Sequence, residues 1–413
     1  MRILTGAAAS RRVDQLEARG SEFATLEPKV RRIVEDVRRD GDRAVRRYAE
    51  KWDGLARNRS LRVAEAELEA AWTTATPRLR AALREASANI RRFCQWQRPR
   101  GWKRTSRGIT LGQMVRPLNS VGCYVPGGRH PLVSTLLMTV VPAQVARVPE
   151  IRVVSPNPQP EVMTAAYMLG VRDFFRIGGA QAIAALAYGT RSIPLVDKIV
   201  GPGNQFVTIA KKLVAFDCSI DFLAGPTEAL ILSNRGRAEF IAADLVAQAE
   251  HDPNAIPVFI TTSKHLACAV KMTVAQLVES NPAARQAVAR NGSVLLAGSQ
   301  EQAIEWANRI APEHITVERQ NLASITNAGS VFVGDYSAQA AGDYASGPNH
   351  VLPTAGTARF RGGLTVTDFV KVITVQELSA RGLERIGKTV TRLAETEGLQ
   401  AHAASIRARC PDA

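Results

Sequence analysis

Val121-Gly122-Cys123-Tyr124-Val125 runs into the turn Pro126-Gly127-Gly128, and the same texture returns at Ile151 to Ser155, Phe174 to Ile177 and Val196 to Val200. Each run is short and apolar or β-branched, each ends in a glycine or proline turn, and each is followed by a helix-like segment. A repeating strand, turn and helix of this kind predicts a parallel sheet covered on both faces. The turns Gly178-Gly179-Ala180-Gln181 and Gly201-Pro202-Gly203-Asn204 fall between predicted strand and predicted helix, where freed backbone N–H groups suit a phosphate or carboxylate. None reproduces the dinucleotide fingerprint G-x-G-x-x-G, since Phe206 stands where the third glycine would fall. Tight turns also need glycine for purely structural reasons, so both readings stand.

Beyond Gly225 a second series predicts strands at Ala229 to Leu232, Pro257 to Thr261, Val294 to Ala297, Ile315 to Val317 and Val331 to Val333, with helices at Ala238 to His251 and Gln300 to Ile310 between them. Before the first series, residues up to about Arg107 read as mainly helical, in stretches such as Pro28 to Trp52 and Glu65 to Gln97. After Gly363 the strand signals stop, and Val370 to Ser379 and Leu383 to Ala404 read as helix in a terminal extension.

A chain of 413 residues exceeds what one core organises, and 46% apolar with 22% charged residues is the balance of a globular protein. The cysteines Cys94, Cys123, Cys218, Cys268 and Cys410 are odd in number and scattered, which argues against a disulfide framework and fits a reducing cytoplasm. No export signal is read at the start. Pro131 to Val145 is apolar but short and interrupted by Ser134, Thr139, Pro142 and Gln144, so it predicts a buried helix rather than a membrane span. The net charge of +15 comes largely from arginines such as Arg31-Arg32 and Arg38-Arg39, set opposite Val30, Ile33, Val34 and Val37. That spacing describes the solvated face of amphipathic helices, and without an accompanying recognition motif no nucleic-acid partner is expected.

Four constellations carry chemistry-bearing side chains. Gln248 and His251 stand three apart near a predicted helix end, an arrangement that suits either a metal with stronger ligands from elsewhere or a plain surface helix end. Glu313-His314 precede a predicted strand and place an acid beside a base at the mouth of the second sheet, as oxidation of an alcohol and of a hydrated aldehyde requires. The polar stretch Asp343 to His350 offers an anionic ligand in Asp343. Glu397 and His402 flank Gly398-Leu399-Gln400-Ala401 in the extension, outside either predicted sheet. His130 and His265 are assigned no role.

In this order, Tyr124-Val125-Pro126-Gly127-Gly128, Gly178 to Ala182, Gly201 to Asn204, Ala224-Gly225-Pro226-Thr227-Glu228, Gln248 to His251, Pro312-Glu313-His314, Asp343 to His350 and Leu399 to His402 resemble the histidinol dehydrogenase family, from roughly Val30 to Arg407. The resemblance implies an α/β fold of two Rossmann-like parallel-sheet domains. It further implies a helical N-terminal region over 1–123 packing with 227–363, an NAD-binding domain over 124–226, a domain carrying zinc and catalytic residues over 227–363, and a helical extension over 364–413 exchanged in a homodimer. It implies one zinc per subunit, held by Gln248, His251, Asp343 and, from the partner subunit, His402. NAD would meet Tyr124, Gln181 and Asn204. Substrate would meet Thr227, His314 and Glu397 together with the zinc ligands, while Glu313 and His314 would be catalytic. The implied reaction takes L-histidinol through L-histidinal to L-histidine with two NAD⁺ reduced, at the last step of histidine biosynthesis.

A related zinc- and NAD-dependent dehydrogenase resembling the sulfopropanediol type is the rival, and Glu397 discriminates, because a carboxylate suits the cationic amine of histidinol and repels a sulfonate. A basic binding or scaffold protein that had lost catalysis would lack ligands or base, and all are present.

Overall fold

The computed structural model describes residues 1–20, 24–127 and 131–410, so Gly128 and His130 lie outside the described residues. A five-stranded parallel sheet has the spatial order Asp173–Phe175, Glu150–Val154, Ser120–Tyr124, Lys198–Val200, Ser219–Ile220. A six-stranded parallel sheet runs Arg2–Thr5, Ser293–Leu296, Ile256–Thr261, Glu228–Leu232, His314–Val317, Ser330–Val333. Both sheets were expected, and their central strands are buried on both faces, as covered parallel sheets must be. The apolar stretch near Pro131 forms the buried helix Val133–Ala146. No helix among the described residues is long and apolar enough to cross a membrane.

The amphipathic reading of the arginines holds: Val30, Ile33, Val34 and Val37 of helix Glu27–Asp40 are buried, whereas Arg31, Arg32, Arg38 and Arg39 are exposed. The predicted helix over Pro28 to Trp52 is two, Glu27–Asp40 and Asp42–Trp52, broken at Gly41. That over Glu65 to Gln97 splits at Thr76, whose hydroxyl caps the helix Pro77–Gln97.

Three expectations need correction. The strand Arg2–Thr5 was not foreseen; it pairs in parallel with Ser293–Leu296 and completes one edge of the second sheet. Of 1–123, the opening residues to Arg19 pack against 227–363, and Asn89 adds a donation to the Ala345 carbonyl at 3.0 Å. The helices between Glu27 and Gln97 mainly cover the first sheet, where Val30 and Val34 share one core with Ile183 and Leu186, and Leu83 and Ile90 share another with Leu136 and Val140. Finally, Val370–Leu378 is a strand, not a helix, pairing antiparallel with Ile109–Pro117 along its whole length, with Trp102–Ser106 on the far side. Val370, Val372, Ile373, Thr374 and Val375 are β-branched, and cross-strand pairing decides the conformation where helical spacing by itself does not. The two helices after it, Ala380–Thr396 and Gln400–Arg407, are separated at Gly398.

Arg176, buried just after the strand Asp173–Phe175, donates to Glu67 at 2.7 Å, and Glu67 also accepts from the Ala64 amide that opens its own helix. Burial raises the Glu67 pKa, but the Arg176 hydrogen bond and its other donors outweigh it and bring the group down to about 2. A folded-state pKa below the unfolded value stabilises the fold above the unfolded pKa and ceases to do so as pH falls towards the folded one. Glu67→Gln therefore lowers the melting temperature at pH 7, and its deficit against the parent shrinks between the ordinary carboxylate pKa and about pH 2; a deficit constant with pH in thermal melts excludes the ion pair as its source.

Candidate active site

Glu228–Leu232, His314–Val317 and Ser330–Val333 are neighbouring parallel strands, so Glu228, His314 and Ser330 share the sheet's amino-terminal edge. Helix Ala238–Ala249 follows the first of these strands and brings Gln248 back to that edge. The mouth that holds Glu313 and His314 is thus the amino edge of the second sheet, whereas ligands of open α/β sheets usually lie at the carboxyl edge.

Four predicted residues meet there in one buried group. His314 Nε2 lies 3.3 Å from Asp343 Oδ1, Gln248 Nε2 donates to Asp343 Oδ2 at 2.8 Å, and Glu313 Oε2 lies 3.7 Å from His314 Nδ1 while accepting the Glu228 amide at 3.0 Å. The imidazole stacks on Phe332 with centroids 5.9 Å apart, and a Cβ at Gly342 would come within 2.7 Å of that phenyl ring, so the short helix carrying Asp343 reaches the ring only because residue 342 is glycine. With Nε2 turned to Asp343, Nδ1 is buried and makes no hydrogen bond.

Electrostatics follow from this burial. Desolvation pushes the Glu313 carboxyl up to about 8, against the opposing pull of His314. For His314, burial lowers the pKa, but Glu313 and Asp343 more than offset it and the net shift is upward. Burial raises the Asp343 pKa, but the hydrogen bond and charge of His314, together with His350 and Gln248, outweigh it and the net shift is downward. A buried Arg19 guanidinium holds both Glu228 oxygens at 2.6 Å, so the strand beneath Glu313 carries no uncompensated charge.

The loop after Asp343 joins the two sheets. His350 Nδ1 contacts the Asp343 carbonyl at 2.8 Å and its Nε2 lies 3.4 Å from Thr135 Oγ1, while Asn349 donates to the Met138 carbonyl at 2.6 Å. A cavity of about 550 Å³ opens beside this loop, lined by His314, His350, Asn349, Phe332 and Phe93 among others. In the sequence His350 merely closes a polar stretch; only the fold places it against Asp343. Burial lowers its pKa, which favours the neutral ring.

At the carboxyl edge of the first sheet, the Tyr124 hydroxyl accepts the Gly179 amide at 3.1 Å and Gln181, buried, donates to Asp53 at 3.1 Å. Asp53, unforeseen by sequence reasoning because it reads as the polar end of a helix, also accepts the Gly178 amide at 2.9 Å. Asn204 is exposed and caps the helix Gln205–Val214 by accepting the Val207 amide at 3.2 Å. Beneath that turn, Lys211 donates to Asp221 at 2.6 Å, and Asp221 accepts the Gly201 amide at 2.8 Å.

Other predicted residues are not gathered by a single chain. Thr227 is half-buried beside Glu228, and His251 is exposed one residue beyond the Glu250 cap. Its charge nonetheless acts on His350. Glu397 and His402 are exposed on the terminal helices. Among the described residues no cluster of three or more His, Cys, Asp or Glu side chains is poised for a metal.

Two covered parallel sheets and a buried carboxylate–imidazole–carboxylate line define an α/β enzyme built for acid–base chemistry. The chain belongs to the histidinol dehydrogenase family, whose profile, described as Histidinol dehydrogenase, it matches over residues 16–410, and it is an oxidoreductase of histidine biosynthesis. It is 46% identical over 394 residues to histidinol dehydrogenase of Methanothermobacter thermautotrophicus, covering 92% of each chain. With that of Deinococcus radiodurans it shares 44% over 412 residues, covering 96% of this chain and 94% of the relative. Histidinol dehydrogenase from Elizabethkingia anophelis superposes with a TM-score of 0.94 at 34% identity, over 100% of this chain and 98% of that one. These relatives do not favour the sulfopropanediol-type rival.

Lys211→Met leaves Asp221 buried without its cation, so an unfolding free energy lower by about 3–5 kcal/mol is expected from denaturant titration; a loss within error of zero shows that the pair does not hold the Gly201 turn.

Proposed function

We propose that this enzyme oxidises L-histidinol through L-histidinal to L-histidine, reducing two NAD⁺, in an active site that binds one zinc and is completed by a second copy of the chain. The observation that carries this reading is the buried His314 Nδ1, a lone pair without a partner, held between Glu313 and Asp343.

The donor types present suit zinc: the buried Gln248 and Asp343 side chains meet and carry an amide oxygen and a carboxylate, His251 stands just past the same helix, and an imidazole from outside would complete a four-donor set. The residues that would hold the metal are Gln248, His251, Asp343 and His402 of the partner subunit. Bound zinc supplies Lewis-acid orientation of the substrate's nitrogen donors without changing oxidation state, and bound NAD⁺ supplies the hydride acceptor. His314 takes the alcohol proton at Nδ1 while Asp343 steadies the ring through Nε2. Glu313, made more basic by burial, draws a proton from water as it adds to the aldehyde carbon, and His314 accepts the hydroxyl proton of the resulting gem-diol during the second oxidation. The enclosing loop Ser346 to Leu352 limits water and keeps the aldehyde in place. Tyr124, Gln181 and Asn204 contact NAD, and Thr227, His350, Glu397 and the metal-binding residues surround the substrate.

Homodimer formation with an exchanged arm is supported by the surfaces that one chain leaves bare. Leu393 and Leu399 of the terminal helices are 58% and 43% exposed, and Val372 and Ile373 of the long strand leading to them are exposed as well. His402 and Glu397 sit on that same arm, away from their own site.

His314→Ala lowers turnover by roughly 10²–10⁴-fold while zinc content, measured by atomic emission, is retained. Glu313→Gln passes the first oxidation and releases histidinal, detectable with an aldehyde trap; normal turnover in either variant removes that residue from the mechanism. Co-expressed His314→Ala and His402→Ala chains, each inactive alone, recover about a quarter of parental activity, because half the dimers carry one intact site. No recovery means that the arm does not cross. Chelation abolishes NADH formation from L-histidinol and zinc restores it at two NADH per substrate, while a small sulfonated diol yields none; activity with the sulfonate alone transfers the reading to the rival substrate.

A further inference from the structure

The Gln181 amide is 1% exposed, and its two ends meet different fates. Its Nε2 donates to Asp53 Oδ2 at 3.1 Å, whereas its Oε1 is buried and has no hydrogen-bond partner among the described residues. A carboxylate only accepts, so the amide must turn its NH₂ towards Asp53, which leaves Oε1 directed elsewhere. The same Asp53 oxygen takes the Gly178 amide at 2.9 Å, tying the turn and the side chain to one acceptor. Gly179 has φ +60°, and a Cβ on it would come 2.8 Å from Oε1, so any other residue there would crowd the free acceptor. The Tyr124 hydroxyl accepts the Gly179 amide, so its own proton also remains available to a ligand. A cavity of about 340 Å³ abuts Asp53, with Trp52, Gly127 and Pro156 on its walls.

We propose that Asp53 is a positioning residue for the dinucleotide: by accepting from both Gly178 and Gln181 it fixes the turn and presents Gln181 Oε1 as an acceptor for an O–H or N–H group of NAD. The proposal rests on the reading of Gln181 as an NAD contact. It extends that reading to a residue outside the first sheet, at the end of helix Asp42–Trp52. A buried acceptor left unsatisfied is costly, and a ligand that supplies the missing donor removes the cost on binding.

Asp53→Ala and Asp53→Asn separate hydrogen-bond positioning from charge. An asparagine oxygen can still accept both N–H groups, and an alanine accepts neither. Calorimetric titration with NAD⁺ is expected to show binding about tenfold or more weaker in Asp53→Ala, the scale of one buried hydrogen bond, and near-parental binding in Asp53→Asn. The KM for NAD⁺ rises in the alanine variant while the KM for histidinol and the zinc content stay unchanged. In Asp53→Ala/Gln181→Ala, binding is no weaker than in Gln181→Ala. Parental affinity in Asp53→Ala, equal losses in the two Asp53 variants, or additive losses in the double variant each overturn the proposal. Parental affinity in Gln181→Ala instead overturns the underlying reading of Gln181 as an NAD contact.

Discussion

An imidazole buried between two carboxylates imposes the strongest constraint in this molecule, because none of the three groups can sit in an apolar interior alone. Asp343 needs Gln248 and His314, Glu313 needs the Glu228 amide, and Glu228 needs Arg19. Each partner belongs to a different element, so satisfying the site dictates where those elements meet. The Arg19 guanidinium also donates to the Ile310 carbonyl at 2.8 Å, which ties the helix Gly6–Glu17 to the end of Gln300–Ile310 and anchors the start of the chain under the catalytic strand. Catalytic polarity and fold are therefore one hydrogen-bonded network rather than a site placed on a finished scaffold.

The bridge between the sheets obeys the same logic. The carboxyl edge of the first sheet bears the glycine turns, and the amino edge of the second bears the acid–base group. The loop from Ser346 to Ala355 spans them through Asn349 to Met138, His350 to Thr135 and Thr354 to the Gly225 amide. Its polar side chains find partners in both units, which keeps two otherwise separate cores in a fixed relation.

Much of this was legible in the residue order. Strands of both parallel sheets announce themselves by short β-branched runs ending in glycine, and Glu313-His314 before Ile315-Thr316-Val317 marked the acid–base pair. What failed was reasoning by local periodicity where distant partners decide. Val370–Leu378 has helical spacing, yet the nine residues of Ile109–Pro117 supply a complete ladder for it. Arg2–Thr5 is too short to signal a strand without its neighbour. Asp53 and Glu228 look like ordinary polar residues in the sequence, and only the donors that converge on them from far along the chain reveal their roles. The carboxylate–imidazole contacts are similarly invisible to spacing, because 29 positions separate His314 from Asp343.

The edge strand Arg2–Thr5 also orders events in time. It is synthesised before the rest of both sheets, but its partner Ser293–Leu296 follows almost three hundred residues later. The first sheet, complete by Ile220, can assemble around its own helices while that opening segment still waits unpaired. Closing so long a loop is slow, so the second sheet completes its edge last. Bulk attached on the N-terminal side of this strand would thus encumber the final folding step rather than the nascent one, and the strand Glu228–Leu232, held through Arg19 beside the catalytic pair, would be the part that matures late.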